Sequence, residues 1–214
     1  MVILYMANPC SEGAVAAMEA GVIGFIDTPA QGNRRPAGVK WCADNGCYSG
    51  GYPGDIAWLG WLAKNAHAAK SCLFATAPDV VGDAAATLTR SAPFLPIIRA
   101  LGYKAALVAQ DGLESLHVPW GAFDALFVGG STEWKLGPQA RVLVTEARRR
   151  SKWVHMGRVN SERRCRYAEL IGCDSVDGTY LKFGPDINLP KLLGWADRMS
   201  DAPSLVYEFT EGAA

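Results

Sequence analysis

The sequence predicts an α/β protein that folds as a single, compact (β/α)8 barrel of the TIM type with parallel strands. Eight short apolar runs rich in β-branched residues recur along the chain, and segments with helical periodicity lie between most of them. Near-continuous apolar strands that alternate with helices are typical of a parallel sheet covered by helices on its outer side. The 214 residues, 50% of them hydrophobic, suffice for one sizeable core and fall at the short end of this fold's roughly 200–400-residue range. We therefore expect one domain over 1–214, with an open doubly wound sheet as the alternative.

The predicted elements follow one another in a regular order. Strands are expected at 2–8, 22–28, 39–45, 72–78, 104–110, 125–130, 153–159 and 174–179. Helices are expected at 11–20, 55–70, 83–101, 136–152, 161–172 and 188–199. Two connections are irregular, because 29–38 holds two prolines and two glycines without a helical pattern, and 111–123 has room for at most a short helix.

Composition narrows the class of protein. The 21 Lys and Arg residues balance 21 Asp and Glu, so bulk charge makes no case for nucleic acid, although local basic clusters are still open. Six cysteines are scattered without a Cys-x-x-Cys pair, and only three histidines occur, so we expect reduced thiols and neither metal nor other cofactor. The N-terminus "MVILYMANPC" has no basic stretch before its apolar run, which predicts a cytoplasmic protein without a membrane span.

Polar residues and glycines stand where the predicted strands end. In either parallel architecture the ligand site forms at the carboxyl ends of the strands. For any one position, a helix-capping Asp or a Gly with positive φ is a sufficient explanation. As a set, however, three carboxylates and an amide at one mouth would repel and desolvate one another unless a ligand or cation used them. A polar pocket for a planar, hydrogen-bonding molecule is therefore predicted from the strand ends Asp44, Asp79, Gln110–Asp111, Gly129–Gly130, Gly157–Arg158 and Asp177–Gly178.

Four motifs, which together cover five of these six strand ends, resemble the tRNA-guanine transglycosylase superfamily. Asp44-Asn45-Gly46-Cys47-Tyr48 resembles the family's Asp-Ser-Gly-Gly-Phe motif, and Gln110-Asp111-Gly112 resembles its Gln-Gly-Gly motif. Gly129-Gly130-Ser131 resembles its Gly-Gly-Leu loop. The segment "HMGRV", followed by Asp174 and Asp177, resembles the family's "MGVG" strand followed by Asp-x-x-Asp. Their order and approximate spacing agree across roughly residues 40–180. The resemblance implies a (β/α)8 barrel that exchanges a purine base in a nucleic acid through a covalent aspartyl intermediate.

Two departures from the family bear on the substrate. The chain lacks the zinc-binding Cys-x-Cys-x-x-Cys…His segment of the tRNA enzymes, because no cysteine or histidine follows Cys173, and it lacks a separate RNA-binding module. It is more similar to the compact relatives of phages and bacterial modification clusters, which insert 7-deazaguanine bases into DNA. The resemblance thus favours DNA over tRNA as partner, with a purine or 7-deazapurine base, and leaves a homodimer open.

The resemblance also implies catalytic roles for two carboxyl groups. Asp177 matches the nucleophile, which attacks C1′ of the target nucleotide from the face opposite the departing base. The alternative is that Asp177 only caps the turn that follows it, and Asp174 could do the same. Asp44 matches the general acid/base that handles the proton on the base.

Other matched positions are expected to bind the base and its nucleotide. Asp79 would accept hydrogen bonds from N1–H and the exocyclic amine of the base, and Gln110 would donate to O6. The loop Gly129, Gly130 and Ser131 would add bare backbone amides as donors. For Asp79 the alternative is a helix N-cap, a role for which Asp83 competes. Tyr48 and Trp134 are the candidate aromatic walls for a flipped base, and Arg158 is a candidate phosphate contact.

Three functions fit these residues. The first is base exchange, that is, guanine for a 7-deazaguanine base. In the second, a nucleic-acid glycosylase, water resolves the aspartyl intermediate and leaves an abasic site. The third is a catalytically inactive barrel that binds nucleotides, or a partner protein.

Overall fold

Eight parallel strands close into a barrel in the order of the chain. The computed structural model describes residues 3–200, and their side chains as far as Trp195. The first strand pairs with the second and, on its other side, with the eighth, so the sheet has no free edge. The (β/α)8 barrel is therefore confirmed, and the open doubly wound sheet is excluded.

Each predicted apolar run contains one strand of three to five residues. The strands are β1 (Leu4–Ala7), β2 (Gly24–Asp27), β3 (Trp41–Ala43), β4 (Cys72–Thr76), β5 (Ala105–Ala109), β6 (Ala125–Val128), β7 (Trp153–Met156) and β8 (Ser175–Asp177). Nearly all their residues are buried, as expected for strands covered on both faces.

Helices follow most strands. They are α1 (Glu12–Glu19), α2 (Asp55–Asn65), α3 (Ala84–Ser91), α4 (Phe94–Ala100), α5 (Thr132–Lys135), α6 (Pro138–Arg149), α7 (Glu162–Ile171) and α8 (Pro185–Ser200). The single helix expected at 83–101 is two helices, because Pro93 has no N–H to continue the hydrogen-bond ladder. The short α5 was not predicted. None of the described helices is long and apolar enough to cross a bilayer.

The two irregular connections contain no α-helix. Residues 29–38 form an extended loop, and 111–123 contains only the single 3₁₀ turn Leu113–Ser115. The first loop is attached to the barrel by Arg35, whose guanidinium lies 3.7 Å above the Trp41 ring and 3.3 Å from the Asp27 carboxylate. An ion pair and a cation–π contact thus hold this loop against the barrel, where no helix is present.

The barrel interior forms a small apolar core beneath the carboxyl ends of the strands. Phe74 and Phe127 meet edge to face there, with ring centroids 6.1 Å apart. Phe127 and Val108 belong both to this core and to the cavity above it. Interior packing therefore forms the floor of the cavity, while a larger core lies between the strands and the outer helices.

We predict that Phe74→Ala lowers the free energy of unfolding by about 3–5 kcal/mol, because the ring is fully buried and its removal leaves a cavity. Urea denaturation measures this loss. Phe183→Ala is the matched control, since the Phe183 side chain is 70% exposed and its removal should change stability by less than about 0.5 kcal/mol. Equal effects of the two substitutions would contradict the assignment of Phe74 to the core.

Candidate active site

A single cavity at the carboxyl end of the barrel brings together most of the predicted site residues. Its empty volume is about 530 Å³, including the part open to solvent. Eight of the ten predicted residues line it: Asp44, Tyr48, Asp79, Gln110, Gly129, Gly130, Arg158 and Asp177. Asn45, Val81, Val108, Phe127 and Gly157 complete the lining.

The Asp177 carboxylate has one hydrogen-bond partner on each oxygen. Its Oδ2 lies 2.9 Å from His155 Nε2, and its Oδ1 accepts a 3.0 Å hydrogen bond from the backbone N–H of Arg158. Arg158 has a φ of 61°, a left-handed conformation that few non-glycine residues adopt. This conformation directs its N–H at the carboxylate, which is the kind of backbone strain often found at functional sites.

Asp174 has a different place and a different partner. It precedes β8, and its carboxylate accepts from Arg148 at 2.6 Å and from the backbone N–H of Val154 at 2.7 Å. It therefore sits at the amino end of β8, whereas the cavity lies at the carboxyl end. Of the two carboxyl groups, only that of Asp177 faces the cavity.

Asp44 follows β3 and is half-buried in the cavity wall. Its Oδ1 accepts a 3.1 Å hydrogen bond from the backbone N–H of Gly46. This bond closes a tight turn, in which Gly46 has a φ of 79°. Burial and the negative charge of Asp177 raise the pKa of the Asp44 carboxyl to about 7. A carboxyl group with this pKa can both donate and accept a proton near neutral pH.

Asp79 is held by two side-chain amides. Asn45 Nδ2 donates to Oδ1 at 3.0 Å, and Gln110 Nε2 donates to Oδ2 at 2.7 Å. Burial raises the pKa of Asp79, while these hydrogen bonds and one from Cys47 oppose the rise. Asp83, not Asp79, caps α3 by accepting from Ala86 N–H at 2.9 Å. The competing N-cap interpretation of Asp79 is therefore wrong, and its carboxyl group is part of the cavity wall.

The Gln110 amide has a defined orientation. Its Oε1 accepts hydrogen bonds from the backbone N–H groups of Gly82 at 3.0 Å and Gly130 at 3.1 Å, so Nε2 must be the atom that faces Asp79. Gly129 N–H donates to Ala109 C=O at 3.0 Å. The amides of Gly129 and Gly130 are thus used within the protein, and the expectation that they are bare donors for a ligand is wrong.

The requirement for glycine at 130 has another cause. Its φ is 51°, and a Cβ there would collide with the Trp134 ring and the Asp111 carboxylate. The glycine lets the loop after β6 turn directly above the indole. Trp134 itself is buried under this loop and donates from Nε1 to Glu114 at 2.9 Å. It lies outside the cavity lining, so the expectation that Trp134 forms an aromatic wall is wrong.

Ser131 also lies outside the lining. Its hydroxyl donates to Asp111 Oδ2 at 2.6 Å and accepts from the Trp134 N–H at 3.1 Å, which caps α5. This short helix turns the chain away from the cavity directly after Gly130. Ser131 therefore orders the loop and contributes no side chain to the cavity.

Tyr48 and Arg158 form the rim. The Arg158 guanidinium lies 4.2 Å from the Tyr48 ring centroid and donates to the carbonyl oxygens of Gly129 and Gly130. Tyr48 remains 62% exposed. An aromatic face and a positive charge thus stand together at the mouth, where a ligand would enter.

Two site-supporting residues were not predicted. His155 is fully buried within β7, and Lys135 is fully buried with its Nζ 2.5 Å from Gly157 O. Burial and the charge of Arg158 lower the pKa of Lys135 to about 8. Within the described part of the chain, no three His, Cys, Asp or Glu side chains are arranged to hold a metal ion.

Comparisons with known proteins bear on the fold alone. No family model and no curated protein matches the chain. Similar solved structures include tryptophan synthase from M. tuberculosis in an aminoacrylate- and BRD0059-bound form, at TM-score 0.54 and 15% identity over 93% of this chain and 91% of that chain. A ligand-free form has TM-score 0.54 and 16% identity over 93% and 92%. These neighbours support a TIM barrel and are enzymes. The transglycosylase resemblance rests on the sequence motifs.

We predict that Asp44→Asn changes stability in a pH-dependent way. The raised folded-state pKa of Asp44 means that the folded protein binds the proton more tightly than the unfolded chain, so wild-type stability falls as pH rises from about 4 to 7. Relative to wild type, Asp44→Asn should gain roughly 1–3 kcal/mol between pH 4 and pH 8, a range reduced for partial solvation. Urea denaturation at both pH values measures it, and a pH-independent difference would contradict it.

Proposed function

We propose that this protein exchanges guanine for a 7-deazaguanine base in a nucleic acid, with DNA favoured, through a covalent aspartyl-glycosyl intermediate. One observation carries the proposal: Asp44 and Asp177 come from distant segments, line one cavity and differ in environment. Asp177 has a hydrogen-bond partner on each oxygen, whereas Asp44 has a pKa near 7. A nucleophile and a proton carrier require this difference.

In the first half-reaction, a carboxylate oxygen of Asp177 attacks C1′ of the target nucleotide. The bond from C1′ to the guanine nitrogen breaks, and a C1′–O ester to Asp177 forms. The electron pair of the broken bond leaves with the base, which takes a proton from Asp44. Asp44 ends this step as a carboxylate, and guanine departs neutral.

The second half-reaction is the same chemistry in reverse. A 7-deazapurine enters the cavity and loses its ring N–H proton to Asp44. The ring nitrogen attacks C1′, the ester bond breaks, and Asp177 is again a carboxylate. No cofactor is consumed, and both carboxyl groups return to their starting forms.

Asp79 and Gln110 would recognise both bases. The Asp79 carboxylate accepts hydrogen bonds from Asn45, Gln110 and Cys47, and its two oxygens have about four lone-pair sites, so it can still accept from a ligand N–H. The Gln110 amide nitrogen carries a second hydrogen besides the one given to Asp79. At the rim, Tyr48 offers an exposed ring for stacking, and Arg158 offers a charge for a phosphate.

Asp177→Asn should abolish the covalent complex with a labelled guanine-containing oligonucleotide, because the amide cannot attack C1′. Denaturing electrophoresis measures it, with DNA and RNA strands of one sequence as separate arms. Asp174→Asn is the matched control, since that carboxylate is bound to Arg148 away from the cavity, and it should retain the complex. A complex that persists in Asp177→Asn or vanishes only in Asp174→Asn would overturn the assignment. Alkali-labile abasic sites without added 7-deazapurine would instead indicate the glycosylase.

The rate of complex formation should fall by roughly tenfold per pH unit above about pH 7, because departure of guanine needs protonated Asp44. Asp44→Asn should lower the rate by roughly 10²–10⁴-fold and remove this limb of the profile. Single-turnover kinetics between pH 6 and 9 measure both effects. A falling limb that is unchanged in Asp44→Asn would assign the proton transfer to another group.

A further inference from the structure

We propose that His155 is a positioning residue for Asp177, and that its tautomer is set by a hydrogen-bonded chain from Trp153 through Ser175 in the barrel interior. The inference rests on the proposed function and deepens it, because it concerns how the nucleophile is held. His155 Nε2 lies 2.9 Å from Asp177 Oδ2, and His155 Nδ1 lies 2.8 Å from Ser175 Oγ. Trp153 Nε1 lies 2.9 Å from the same Oγ.

The donors and acceptors of this chain can be ordered from its far end. An indole N–H only donates, so Ser175 Oγ accepts from Trp153. The Ser175 hydroxyl then has its own hydrogen to give, and His155 Nδ1 is 2.8 Å away. If Nδ1 accepts, the proton of a neutral imidazole is on Nε2, and it points at Asp177. Every polar atom of the chain is then satisfied without placing a second charge in the interior.

The surroundings of His155 favour this neutral form. The imidazole is fully buried, with its ring centroid 5.1 Å from that of Phe74 and 4.6 Å from that of Phe127. An imidazolium in this apolar layer would have to be desolvated. Trp153 and Ser175 present only neutral groups to it, and Asp177 is the charged group in contact.

The same three side chains in hydrolases would form a nucleophile–base–acid triad, but here the order is inverted. Ser175 is fully buried at the interior end of the chain and cannot reach a substrate. Asp177 lies at the cavity end and lines it. The chain therefore delivers a fixed N–H to the carboxylate, and the histidine has no substrate proton to take.

One donor on each oxygen limits rotation of the carboxylate and leaves each oxygen a lone pair for C1′. A displacement at a carbon centre needs the attacking atom in line, and a small misplacement can cost roughly 10²-fold in rate. Loss of the His155 donor should therefore affect the rate of attack more than binding of the nucleic acid.

The test compares three variants by single-turnover formation of the covalent complex and by equilibrium binding of the same guanine-containing DNA oligonucleotide. His155→Leu removes the donor and should lower the rate by roughly 10–10²-fold, with the dissociation constant changed less than threefold. His155→Gln keeps an N–H and should recover most of the rate. Ser175→Ala frees the imidazole to adopt the Nδ1–H form and should lower the rate while His155 is still present. His67→Gln, at an exposed histidine, is the matched control and should match wild type.

Nitrogen-15 NMR of the imidazole gives a second readout that needs no substrate. Wild type at pH 7 should show a protonated Nε2 and an unprotonated Nδ1, and Ser175→Ala should shift this preference. A doubly protonated or Nδ1–H imidazole in wild type would overturn the proposed tautomer. Wild-type rates in folded His155→Leu, or equal losses in the Gln and Leu variants, would overturn the positioning role. Failure of wild type to form any complex would instead overturn the proposed function, and the NMR result would still decide the tautomer.

Discussion

The site depends on a constraint on its three carboxyl groups, which lie close together at the partly desolvated opening of the barrel. Removing a carboxylate from water is costly unless it is paired, hydrogen-bonded or protonated. Each of the three meets this constraint differently. Asp79 is bound by the amides of Asn45 and Gln110, Asp177 by His155 and a backbone N–H, and Asp44 has a pKa raised to about 7. Protonation of Asp44 relieves its repulsion of Asp177. Asp44 can therefore carry a transferable proton beside the hydrogen-bonded carboxylate of Asp177.

The closed barrel supplies these partners through strand register. His155 of β7 is paired in register with Ser175 of β8, and Asp177 follows two residues later on the same face. The floor that holds the imidazole is made by Phe74 and Phe127 from two other strands. A buried donor can thus be held below the mouth, where loops could not fix it.

Most of the fold and the outline of the cavity could be predicted from the sequence, because both depend on where apolar runs end. Parallel strands place all their carboxyl ends on one side, so Asp44, Asp79, Gln110 and Asp177 meet without further information. The prediction that Ser131 and Trp134 line the cavity is wrong. Both residues follow a strand end closely in the sequence, but a helix begins there, and closeness in sequence then does not determine where a side chain points. His155 was missed although the period-two pattern of Trp153, His155 and Gly157 places it on the interior face. Its hydrogen-bond partners, however, depend on register that the sequence alone does not provide.

The fixed amide of Gln110 bears on which base such a cavity could discriminate. Two backbone N–H groups occupy its oxygen, so it can offer a ligand only an N–H, while Asp79 beside it offers only acceptors when ionised. A donor next to two acceptors complements the O6, N1–H and exocyclic amine groups of guanine, which 7-deazaguanine bases share because replacing N7 by carbon leaves these three groups unchanged. Adenine would place an amine against the Gln110 N–H and a bare ring nitrogen against Asp79. Unpaired buried polar groups of this kind cost far more than a missing methyl group. Because rotation of the amide would break both backbone hydrogen bonds, the cavity cannot adapt to adenine by a simple flip.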